Sequence, residues 1–130
     1  MSASKTRSTT SRKQIPMAED WLARLRQPPP HPGMVFKQFI REAQEEKISQ
    51  AEAARRLGMT PYNWGQIELG RVAVTPETAV KLEQLTGVSA LFWCRLQMHY
   101  DLWKAYQAEK RGEIRIAGES LPTKLSTPTV

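Results

Sequence analysis

His31, Cys94, His99 and Asp101 are the side chains best suited to ligate a metal, attack an electrophile or carry a proton. A site of that kind needs convergence, and the spacing supplies none. His31 lies in a proline-rich turn far from the other three in sequence. His99 and Asp101 stand two apart in a helical stretch, so they do not face each other. Surface or capping roles account for all three. Cys94 has no second cysteine and no clustered histidine, and reads as ordinary packing. A lone cysteine also excludes an intrachain disulfide, which fits a reducing cytoplasm. There is no phosphate-binding glycine loop and no acid–base pair. The expectation is a protein that is not an enzyme, with no catalytic residue, no metal and no small-molecule cofactor.

Charge points elsewhere, and its distribution matters more than its sum. The chain of 130 residues carries a net charge of +6. Residues 1–16 hold Lys5, Arg7, Arg12 and Lys13 and no acid. Residues 31–110 balance ten basic side chains against nine acidic ones. The part that folds is nearly neutral, and the basicity belongs to a tail. That tail is either inert and solvated or an arm that adds phosphate contacts. No apolar run has the length of a signal peptide or a membrane span, so no membrane partner is expected.

The elements follow from periodicity and punctuation. Four segments emerge: a disordered basic tail over 1–15, a short amphipathic helix and proline-rich linker over 16–30, a domain over 31–110, and a flexible C-terminal tail over 111–130. In the second segment Trp21, Leu22 and Leu25 recur at helical spacing before Pro28-Pro29-Pro30. A helix that short is not stable alone and must pack on this domain, a second copy or a different protein.

Within the domain, His31-Pro32-Gly33 leads into a helix expected to reach about Glu46, with Val35, Phe36, Phe39, Ile40 and Ala43 on one face. Ser49 with Glu52 three residues on forms a capping box for a helix over 50–57. Gly58 stops that helix, and Thr60-Pro61 starts the next, which ends at Gly70. Thr75-Pro76 opens a fourth helix with Ala79, Val80, Leu82 and Leu85 inward, closed by Gly87. Ser89 caps a long last helix to about Lys110 with two apolar stripes. One stripe is Phe92, Leu96, Tyr100 and Trp103; the other is Leu91, Met98, Leu102 and Ala105. One core needs only one stripe, so the second is a candidate partner surface. Trp93, Tyr100 and Trp103 read as core or dimer seam. The fold class is all-α: a five-helix repressor-like helix-turn-helix domain with a long C-terminal helix and flexible tails.

The helices over 50–57 and 61–69, joined by Gly58-Met59-Thr60, are the functional signal. Two such helices on so tight a turn cross steeply, and the second can lie in a DNA major groove. Gly58 supplies the left-handed turn residue. Ala54 is small where the helices meet, and Leu57, Trp64 and Ile67 point inward to hold them together.

The stretch from Ile48 through Thr60, followed by Ile67-Glu-Leu-Gly-Arg71, resembles the phage-repressor (Xre/Cro) helix-turn-helix class. The flanks His31-Pro32-Gly33, Val74-Thr-Pro-Glu-Thr-Ala79, Phe92-Trp93 and Tyr100-Asp-Leu-Trp103 are similar to HigA-type antitoxins. The resemblance covers residues 31–106. It implies a bacterial cytoplasmic, nucleoid-associated homodimer that binds a palindromic double-stranded operator ahead of its own operon. It also implies neutralisation of a HigB-type toxin, an mRNA-cleaving ribonuclease.

Carried over by position, Pro61, Tyr62, Asn63 and Gln66 are the base-contact candidates. Asn63 and Gln66 can each pair with adenine, and Tyr62 can lie on a thymine methyl. Gln50, Thr60, Arg71 and Arg55 are the candidate contacts to the DNA backbone, although Arg55 and Arg56 read more readily as a solvated helix face than as phosphate contacts. Trp21, Leu25, Leu91, Met98 and Leu102 are candidates for the dimer or toxin surface, with the Trp21 segment as a toxin anchor. Three departures stand out. Pro61 has no hydrogen bond to offer a base, Met34 replaces the acid that commonly follows the His-Pro-Gly turn, and Gly65 sits mid-helix at a cost of about 1 kcal/mol against alanine. Gly65 implies a close approach of DNA or of a neighbouring helix. The alternative reading is a stand-alone phage or plasmid repressor without a toxin.

Overall fold

The computed structural model describes residues 20–122, and within them the chain is all-helical. The expected tail over 1–15, the start of the first helix and the last eight residues lie outside the described residues. The elements are α1 (Asp20–Arg24), α2 (Pro32–Phe36) running into a π-helical turn (Lys37–Arg41), α3 (Gln50–Arg56), α4 (Pro61–Glu68), α5 (Pro76–Thr86) and α6 (Ala90–Lys110). No described helix is long and apolar enough to cross a membrane.

Helix starts are set by side-chain caps. The Ser49, Thr60, Thr75 and Ser89 hydroxyls accept from the backbone N–H of Glu52, Asn63, Thr78 and Leu91. The Ser49 capping box closes on one side only, because the Glu52 carboxylate turns to Arg55 and Arg56 instead. Gly58, Gly70 and Gly87 all have φ between +72° and +79°, the left-handed region that ends a helix without Cβ strain.

The core is built around Phe36. Its ring meets Trp64 edge-on at 5.2 Å and Trp93 at 6.4 Å, and all three rings are fully buried. Ala53, Ala54, Leu57, Ile67, Val74, Ala79 and Leu82 complete it. Gly33 lets α2 lie directly on α4: a Cβ there would stand 1.9 Å from the Ile67 carbonyl oxygen. Nothing but glycine fits that crossing.

Three sequence expectations are corrected. The second helix ends at Arg41 instead of continuing to Glu46, although Ala43 to Lys47 are good helix formers. Its last turn widens, with the Glu42 N–H donating to the Lys37 carbonyl five residues back. The widening turns Arg41 inward to its partners and leaves Phe39 and Ala43 outside, Phe39 being 68% exposed. Val80 of α5 is also exposed. On α6 the fully inward residues are Trp93 and Gln97, one position off the stripe read from Phe92 and Leu96. Gln97 was invisible to an apolar pattern because it is buried by hydrogen bonding. Its Oε1 accepts from the Val74 N–H at 2.7 Å, and its Nε2 donates to Asp101 at 2.9 Å.

The short first helix finds its partner inside the chain. Leu22 is buried, the Trp103 indole N–H donates to the Leu25 carbonyl at 2.9 Å, and Trp21 meets His99 edge-on at 5.6 Å. Lys110 closes the contact by donating to the Ala23 carbonyl at 2.6 Å. Of the two stripes on α6, α1 therefore covers the end that carries His99 and Trp103.

His31 takes the capping role. Its Nδ1 accepts from the Gly33 N–H at 2.9 Å, and its ring stands edge-on to Tyr100 at 4.9 Å. Burial pushes its pKa down, with the Asp101 charge and a hydrogen bond to the Val72 backbone opposing and Lys104 adding to the depression. A proton on Nδ1 would also remove the cap. The folded form resists protonation while the unfolded chain takes up a proton near pH 6.5. The stability His31 contributes is thus complete above about pH 6.5 and is lost as pH falls toward the lower folded value. Thermal midpoints measured from pH 7.5 to pH 5 should fall, and His31→Asn, which can still cap, should flatten that slope.

Candidate nucleic-acid interface

The helix-turn-helix is α3, the turn Leu57–Thr60, and α4. Its two helices are fixed to each other and to α2 by one buried carboxylate. Glu68 accepts from Arg41 Nε at 2.8 Å and Arg41 Nη2 at 2.7 Å, from Trp64 Nε1 at 2.7 Å and from Gln50 Nε2 at 3.1 Å. A carboxylate has about four acceptor positions, and here all are used. The Arg41 fork is bidentate, the strong geometry for such a pair, and the bond to Glu68 raises the Arg41 pKa further. Arg41 Nη1 also donates to the Ile48 carbonyl at 3.4 Å, tying the loop before α3 to the same point.

This arrangement explains Gly65. Gln50 crosses α4 to reach Glu68, and a Cβ on residue 65 would stand 3.1 Å from Gln50 Oε1. The close approach implied by a mid-helix glycine is thus to the Gln50 side chain. Gln50 keeps its candidate place at the start of α3, half-buried and held in one orientation.

With Trp64, Gly65, Ile67 and Glu68 buried, α4 turns the remaining positions outward. Tyr62 is 73% exposed, Pro61 and Asn63 are exposed, and Gln66 is half-buried. The four base-contact candidates therefore belong to one helix and its solvent side. Leu69, 54% exposed, continues that side one turn beyond Gln66. Nothing in the local pattern marks an apolar residue next to a helix end as solvent-facing. Thr60 caps α4 at its exposed N-terminus, and Arg71 follows Gly70 on the loop, its N–H donating to the Gln66 carbonyl at 2.9 Å.

Arg55 is engaged within α3. Its Nε and Nη2 donate to Glu52 at 2.9 and 2.5 Å, and Arg56 Nε donates to the same carboxylate at 2.6 Å. These bonds hold Glu52 down at about 2. One carboxylate thus serves two guanidinium groups on the outer face of α3. The remaining surface candidates lie on α6 and α1. Leu91 and Met98 are 57% and 54% exposed, and Leu102 is half-buried. Met98 and Leu102 line an open groove with Val74, Pro76 and Cys94. Trp21 meets His99 of α6 yet stays 42% exposed, and half-buried Leu25 meets α6 through its carbonyl. Among the described residues no group of three His, Cys, Asp or Glu side chains converges on a metal-sized site.

Comparison with known proteins agrees with this geometry. Residues 39–93 match the helix-turn-helix family HTH_3. The uncharacterized HTH-type transcriptional regulator YddM of Escherichia coli (strain K12) is 31% identical over 85 residues, 65% of this chain and 84% of that protein. The chain belongs to the Xre-type helix-turn-helix family. Its structural relatives are HigA- and GraA-type antitoxins. Antitoxin GraA is 28% identical with a TM-score of 0.59, over 70% of this chain and 99% of GraA. Pseudomonas aeruginosa antitoxin HigA, solved with the higBA promoter, is 30% identical with a TM-score of 0.59, over 65% of this chain and 89% of HigA.

Arg41 and Glu68 were not anticipated from the sequence of this helix-turn-helix domain. The available signal was a glutamate between Ile67 and Leu69, four residues after an inward tryptophan. Removing one partner from such a buried pair strands the other, at a cost of about 3–5 kcal/mol. Glu68→Ala should lower the urea midpoint accordingly, and Arg41→Met/Glu68→Gln, which removes both charges and keeps an acceptor for the Trp64 indole, should recover part of the loss.

Proposed function

We propose that this chain is an antitoxin that represses its own operon and neutralises a HigB-type mRNA-cleaving ribonuclease. The observation that carries the reading is the outward face of α4: Tyr62, Asn63 and Gln66 stand together on a helix braced by Glu68, within a fold shared with an antitoxin solved on its promoter. Asn63 and Gln66 read bases, while Gln50, Thr60 and Arg71 meet the backbone. Two copies pair and set their α4 helices about 34 Å apart on a palindromic operator. The protein acts by binding alone, with no chemistry of its own, in the bacterial cytoplasm. That α1 is already seated on α6 favours α6, and not the Trp21 segment, as the toxin-facing surface. The second reading, a repressor without a toxin, is favoured by the likeness to the transcriptional regulator YddM.

Two measurements decide between these. Gln66→Ala should weaken binding to the selected operator about ten-fold or more, the worth of one good base pair contact, and leave random duplex unaffected. Equal losses on both would remove Gln66 from readout. Co-expression with a HigB-type ribonuclease should restore growth, and Met98→Glu should abolish that rescue. Growth arrest that the native chain does not relieve would leave the repressor reading.

A further inference from the structure

The outward face of α4 continues into a cleft of about 480 Å³. Met59 and Tyr62 line it together with Val72 and Ala73 of the α4–α5 loop, and exposed Asn63 and half-buried Gln66 stand at its solvent edge. Ile67 and Thr78, both buried, lie at its base. The walls are fixed from behind. Val72 N–H donates to the Gln66 carbonyl at 3.3 Å, and Val74 N–H donates to Gln97 at 2.7 Å. Tyr62 and Val72 nevertheless remain 73% and 47% exposed, an apolar opening beside the two amides of that face.

In the major groove only one apolar group is offered, the C5-methyl of thymine, and adenine is the base that Asn and Gln side chains pair with. An apolar cleft with two amides at its edge matches both halves of an A·T pair. We propose that this cleft is a thymine-methyl pocket, with Val72 and Tyr62 as specificity-determining residues beside Asn63 and Gln66. The proposal rests on the DNA-reading role of α4 given above. It assigns to Val72 a part in recognition although the residue lies outside the helix that enters the groove. A protein occupant fits less well, because the cleft shares its edge with the two amides that face the bases.

The test uses the full chain and a duplex enriched from a randomised pool by repeated binding. That duplex is synthesised with thymine and again with deoxyuridine at single positions, which keeps pairing and removes only the methyl. Burying one methyl should make the thymine form bind about four-fold more tightly at each position seated in the cleft. Val72→Ala, an exposed change, should bring that ratio toward one while leaving the uridine duplex nearly unaffected. Equal binding of thymine and uridine duplexes at every position would overturn the pocket alone. Failure to enrich any duplex would overturn the DNA-reading role, and the pocket with it. A Val72→Ala chain that changes oligomeric mass but keeps the thymine ratio would overturn the pocket in favour of a contact between copies.

Discussion

The Glu68 carboxylate is the point on which the geometry of the helix-turn-helix depends. Its four donors come from three separate elements, so satisfying it fixes α2, α3 and α4 in one arrangement. A buried ion pair contributes little net stability, because desolvation offsets most of the attraction. What it contributes here is selectivity among arrangements. Any slip of α4 along its axis would leave a charged, buried group short of partners, and that costs far more than a lost apolar contact. The π-helical turn is part of the same constraint. It brings Arg41 inward to Glu68, while Ile40 stays packed against the core and Phe39 and Ala43 are left in solvent.

Gly33, Gly65 and His31 are secondary conditions of that arrangement. Gly33 lets the α2 backbone touch the carbonyl of Ile67, and Gly65 gives Gln50 its path to Glu68. His31 caps α2 from a fully buried position against Tyr100. Each side chain is small or neutral because a neighbour's backbone or amide already occupies the space. The consequence reaches the surface: α4 is held so firmly from behind that its exposed residues are free to be chosen for contact alone.

Much of this was legible in the sequence. Caps, turn glycines and the inward positions Leu57, Trp64 and Ile67 follow from local rules, and they placed the helix-turn-helix and the α4 face correctly. What stayed hidden was polar and long-range. Arg41, Glu68 and Gln97 are buried because each meets partners distant in sequence, and a hydrophobic pattern counts them as solvent-facing. The end of α2 was hidden for the same reason, since residues 42–47 have helical propensity and the break is imposed by Arg41 reaching across the core. The seat of α1 on α6 could not be chosen from periodicity, which leaves a short amphipathic helix equally suited to any apolar surface.

The two outward faces of the domain share one wall. Ala73 and Thr75 line the groove beside Met98 and Leu102 on α6, and they also line the cleft beside Tyr62 and Gln66 on α4. The loop carrying them is tied to both helices, by Gln97 accepting from Val74 and by the Gln66 carbonyl accepting from Arg71 and Val72. In net charge, residues 31–110 are nearly neutral, with ten basic side chains against nine acidic ones. Phosphate contacts position a protein on DNA, whereas discrimination among sequences falls to amides and apolar edges. Such contacts act only at short range and only in register. Glu68 supplies that register, because it holds α4 against α3 and the turn after α2 while Tyr62 and Leu69 on the other side of α4 stay exposed.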